Sequence, residues 1–134
     1  MKKNIHVFSL ALAFVAFVVL SACGPKSTTL NVEMKEFVFV PDTFTVPAST
    51  KVTLNLTNKG ALEHEYAIMI LGKEATLPFD ADDEPNIYWE HELLAGESAT
   101  LEFTSPSEPG EYQVVCGTPG HLELGMKGTL IVTP

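Results

Sequence analysis

Cys116, His121 and Met126 share the stretch 114–132 (VVCGTPGHLELGMKGTLIV), each five residues after the last. Thiolate and thioether are soft donors that select copper, and imidazole suits copper too. A trigonal plane of two imidazoles and one thiolate, with a long axial thioether, is a copper electron-transfer geometry. The loop supplies three of those four donors, so a second histidine must come from elsewhere. His6 falls in an apolar leader, which leaves His64 and His91. His64 follows a turn and stands just before the apolar run 66–71, at a strand end where a rigid sheet can hold it. His91 lies between Glu90 and Glu92 in an acidic stretch, and an exposed position is expected for it. Taken singly, a core methionine, a buried cysteine or a stray histidine is commonplace. Three such donors at regular spacing in one loop are not explained by packing. The expected ligands of a single copper ion, cycling between Cu(I) and Cu(II), are therefore His64, Cys116, His121 and Met126.

Strands must place these groups. Residues 30–34 and 51–57 alternate apolar and polar, as do 97–103, and each reads as a strand with one buried face. Residues 37–40 and 44–46 are β-rich and end at Pro41 and Pro47. The run 66–71 reads as a buried strand, and 111–115 and 128–132 flank the ligand loop. Residues 72–92 break the rhythm with Pro78, an acidic run at 80–84 and Pro85, and read as an insertion with one helical turn. Seven or eight short strands punctuated by Gly and Pro predict an all-β sandwich or Greek-key barrel.

The chain has 134 residues, enough for one domain, and begins with a basic start (Met1-Lys2-Lys3) and an apolar stretch at 5–20. That beginning predicts an export signal over 1–22. The following Leu-Ser-Ala-Cys resembles the lipobox of bacterial lipoproteins, which implies acyl chains on Cys23 and a tether over 23–29. A domain over 30–134 then hangs from a bacterial membrane, facing the periplasm or the exterior. The only other cysteine is Cys116, so no disulfide within the domain is available, and an exported lone thiol suits a metal. Leaving out Lys2 and Lys3 takes the formal charge from −9 to −11, and there is no arginine. That balance argues against nucleic acid and favours solubility and a basic partner.

The pattern Cys-x4-His-x4-Met, with Pro119-Gly120 before His121 and Gly125 before Met126, resembles the small blue copper proteins, the cupredoxins. Its spacing is closest to auracyanin-like members. The resemblance covers 30–134 in strand pattern and is specific around His64 and from Cys116 to Gly128. It implies an eight-stranded Greek-key β-sandwich that shuttles one electron and is not an enzyme. Within it, His64 and His121 are equatorial ligands, Cys116 the coloured thiolate and Met126 the axial sulfur. In relatives the second histidine reaches the surface through an apolar patch, here expected from Leu62, Pro119, Leu122 and Leu124. Many relatives also carry Asn directly after the first histidine, tying the ligand loops together. Glu65 stands there in this chain, with Glu63 on the other side.

The expected partners are redox proteins, such as a c-type cytochrome or a membrane oxidoreductase, and the carrier is expected as a monomer. Three other readings compete. One is copper storage or delivery, another a red-type copper site with Glu63 or Glu65 bound. The third is a metal-free ligand-binding β-sandwich lipoprotein.

Overall fold

The computed structural model describes residues 27–134, so the expected leader and Cys23 lie outside the described residues. Nine strands form two sheets: β1 Ser27–Lys35, β2 Val38–Val40, β3 Thr43–Pro47, β4 Lys51–Asn58, β5 His64–Met69, β6 Ile87–Leu93, β7 Ser98–Thr104, β8 Gly110–Val115 and β9 Lys127–Thr133. One sheet runs β2-β1-β4-β7 and the other β3-β9-β8-β5-β6. The expected sandwich is thus present, with one strand more than expected.

Alternation explains how the sheets face each other. In β4, Val52, Leu54 and Leu56 point inward and Lys51, Thr53, Asn55 and Thr57 do not. They meet Tyr66 and Ile68 of β5, Val114 of β8 and Leu130 and Val132 of β9 across the sandwich. From Tyr66 to Met69, strand β5 is buried on both faces, which is why that run is apolar rather than alternating. Its second face, with Ala67 and Met69, packs with Val115 under Phe79 and Leu122. Phe79 belongs to the segment between β5 and β6, which folds back over the outer side of that sheet.

Two boundaries differ from the sequence reading. Residues 27–29, expected in a tether, are strand, because Ser27, Thr28 and Thr29 pair in parallel with Lys51, Val52 and Thr53. Residues 87–92, expected in the insertion, are β6, the edge strand paired with β5. The charged residues there hide a period of two, for Ile87, Trp89 and His91 are half-buried while Tyr88, Glu90 and Glu92 are exposed. His91 is consequently not the exposed loop residue expected. It pairs with Tyr66 and stacks on Trp89 at 6.4 Å between ring centroids. The expected helical turn is present as a 3-10 turn at Glu84–Asn86.

Candidate metal centre

Strand pairing brings the candidate ligands together. β5 and β8 are antiparallel, with Ala67 opposite Val115. The residues just before Ala67 therefore lie beside those just after Val115. Glu65 donates its backbone N–H to Cys116 Sγ at 3.4 Å, a direct sign of that closeness. His64 is the first residue of β5 and points into the sandwich.

The loop between β8 and β9 closes on itself through its own backbone. Cys116 N–H donates to the Met126 carbonyl at 3.1 Å, and Met126 N–H donates to the His121 carbonyl at 3.0 Å. Those bonds pin Met126 to both of the other donor-bearing residues of the loop. Cys116 and Met126 are fully buried in the main core, and His121 is buried beside them.

Three of the four expected residues form one cluster of metal-capable groups, and all three are buried. His64 Nδ1 lies 3.1 Å from His121 Nδ1, and Cys116 Sγ lies 3.8 and 3.4 Å from those same two atoms. This acute triangle has a centre about 2 Å from every corner, close to the bond length of a first-row metal to imidazole or thiolate. The donor set therefore fits a copper ion. Met126 contributes a buried side chain whose backbone is tied to both loop ligands.

Electrostatics agree with ligation. Burial lowers the pKa of His64 and His121, so both rings favour the neutral form a metal requires. Burial pushes the Cys116 thiol up. A thiolate in so dry a place needs the charge of a metal to form.

The loops are tied together by a route the sequence did not reveal. Thr118 Oγ1 donates to the backbone carbonyl of Glu63 at 3.3 Å, linking the loop to the approach to His64. Glu65 does not join the ligands. Strand alternation turns it to the outer face, where its carboxyl packs against Phe79 and over Gly117, whose missing side chain leaves that space. Its pKa is pushed up to about 7, first by burial and then by Glu90, which hydrogen-bonds to it. Leu62 and Leu124 are exposed near the ligands, as expected of an apolar patch, and Pro119 is exposed too. Leu122 is not part of it: this side chain is buried in the outer cluster with Phe79.

Fold and site together define a class: the chain belongs to the cupredoxin-like domain family, which matches residues 8–132. It is 35% identical over 112 residues to Auracyanin-B of Chloroflexus aurantiacus, covering 72% of this chain and 47% of that protein. The chain thus spans about half the length of that curated relative. Among solved structures, an auracyanin B structure matches with a TM-score of 0.65 and 29% identity, over 80% of this chain and 89% of that one. A dithionite-reduced auracyanin from Roseiflexus castenholzii matches at 0.64 and 27%, over 83% of this chain and 100% of that one. Auracyanin A of Chloroflexus aurantiacus, described as a "blue" copper protein, matches at 0.64 and 26%, over 81% and 100%.

Proposed function

We propose that this protein is a type 1 blue copper electron carrier working outside the cytoplasm. The observation that carries this reading is the buried triangle of two Nδ1 atoms and one Sγ. In this reading His64, His121 and Cys116 would hold the ion, with the Met126 thioether as the fourth donor. Bound there, copper takes up and gives back one electron. The chain contributes rigidity: His64 is held by β5, and the loop from Cys116 to Met126 is cross-braced by its own amides. Burial excludes water from the donors, and the exposed Leu62 and Leu124 offer an apolar approach.

The similarity to auracyanins, one of them described as a blue copper protein, supports the same reading. Glu65 lies on the opposite face of its strand, which weighs against a red-type site bound by that carboxylate. An acylated Cys23 tethers the carrier to the membrane, and its negative charge suits a basic partner such as a c-type cytochrome or a basic face of a membrane oxidoreductase. Mass spectrometry of native Cys23 tests the tether, and a transfer rate unmoved by ionic strength would remove the steering.

Absorption and EPR spectra of the purified protein after adding copper test the centre. The expected result is an intense band near the red end of the spectrum and a reversible one-electron wave in voltammetry. A copper complex without that band, or with no reversible wave, would favour storage or delivery.

A further inference from the structure

The outer nitrogen of His64 lacks a partner. Its Nδ1 faces Cys116 and His121, so a metal held there leaves the proton on Nε2. His64 is fully buried, and Nε2 is one of two buried side-chain polar atoms without a hydrogen bond among the described residues. The other is the hydroxyl of Tyr66, whose ring packs against those of Phe39, Phe44 and Trp89. A buried donor left unpaired loses the hydrogen bond it had with water and gains none in return.

One carboxylate is at hand for His64. A Cβ placed on Gly60 would stand 2.7 Å from Glu36 Oε1 and 2.7 Å from His64 Nε2. Carboxylate and imidazole border the same small space, which exists because residue 60 has no side chain. Glu36 also accepts the Ala61 N–H, so its carboxylate is already fixed on the turn that leads to His64. Burial and His121 hold the His64 pKa down, and the negative charge of Glu36 works in the opposite sense.

We propose that Glu36 is a positioning residue, its carboxylate accepting the Nε2 proton of His64 and fixing the ring that offers Nδ1 to the metal. The role of the metal rests on the copper reading above. A carboxylate behind a ligating histidine sets its orientation and raises its basicity. An imidazole made richer in electrons favours Cu(II) over Cu(I).

The neighbouring residue strengthens the case. Glu36 and Phe37 make the two-residue turn between β1 and β2, and Phe37 has φ of 61°, in the left-handed region. That backbone is unfavourable for a residue with a Cβ. It sets the Phe37 ring edge-on to His121, with centroids 5.2 Å apart and planes at 83°. One short turn, distant in sequence from every expected ligand, thus reaches both imidazoles.

Glu36→Gln separates this role from turn capping, because the amide oxygen can still accept the Ala61 N–H while the charge is gone. Gly60→Ala is the second variant, placing a methyl where carboxylate and ring meet. The expected result for Glu36→Gln is about a tenfold loss of Cu(II) affinity relative to Cu(I). That is an upward potential shift of about 59 mV for one electron. Altered copper EPR parameters are expected too, and Gly60→Ala should move the potential the same way. In the metal-free protein, 15N NMR should find His64 protonated on Nε2 in the parent and that signal displaced in Glu36→Gln. A parent-like potential together with unmoved His64 nitrogen signals would overturn the proposal and leave Glu36 as a turn cap alone. A parent protein that takes up no copper would sink the copper reading instead, and the NMR comparison, which needs no metal, would still decide Glu36.

Discussion

His64 and Glu65 are adjacent in the chain and do opposite things. His64 turns into the sandwich, where two imidazoles and a thiol converge. Glu65 turns outward, where burial and the carboxylates of Glu90, Glu84 and Glu92 keep it protonated far above the usual range. A strand has a period of two, so one residue is enough to separate a metal pocket from a crowd of carboxyls. The comparison teaches that sequence proximity to a ligand says nothing of proximity to the metal. Glu65 stands where the resemblance leads one to expect an asparagine tie, and Thr118 links the two loops through the Glu63 carbonyl.

Three changes break or sharpen that contrast. Cys116→Ser acts on the inner face and has the largest effect: the intense red-end absorption of the copper-loaded protein should vanish. A serine variant that keeps the band would mean that the thiol is not a ligand. Asp83→Ala acts on the cover of the outer face. The buried Asp83 carboxylate accepts the N–H groups of Thr76 and Asp80 at 2.9 and 3.1 Å, and the Thr76 hydroxyl as well. Losing these bonds should cost about 2 kcal/mol in thermal unfolding while the visible spectrum stays put. A spectrum that changes would show the two faces to be coupled.

Glu65→Gln has the smallest effect and a definite sign. The folded pKa of Glu65 is raised from 4.5 to about 7. Between those values the folded state holds a proton that the unfolded chain releases, so stability falls as pH rises through the window. The glutamine variant should match the parent near pH 4 and exceed it near pH 8. The gain is about 1 kcal/mol after allowing for screening of a half-exposed group. Denaturant midpoints at the two pH values check this; equal gains at both would point to packing rather than the proton.

Much of this arrangement was legible in the residues. The alternation of 51–57 and 97–103 marked strands because each has one face in the core and one in water. The ligand loop was legible because soft donors are rare and their spacing was regular. Four things were not. Strand β6 carries Glu90, His91 and Glu92, and as an edge strand it needs apolar residues on one side only. Residues 27–29 are small and polar, and pairing with β4 rather than hydrophobicity makes them a strand. Leu122 and Glu36 depend on where a loop side chain points and on a contact between distant turns, and neither leaves a local pattern.

The direction of β1 has a spatial consequence. It runs parallel to β4, from Ser27 beside Lys51 to Met34 beside Asn58, and Lys59 N–H then donates to the Met34 carbonyl on the way to His64. The strand therefore enters at one end of the sandwich and finishes at the other, beside the histidines. Its 9 residues, at about 3.3 Å each, span roughly 30 Å. Ser27 and the histidines thus stand at opposite ends of the sandwich, separated by the full length of β1.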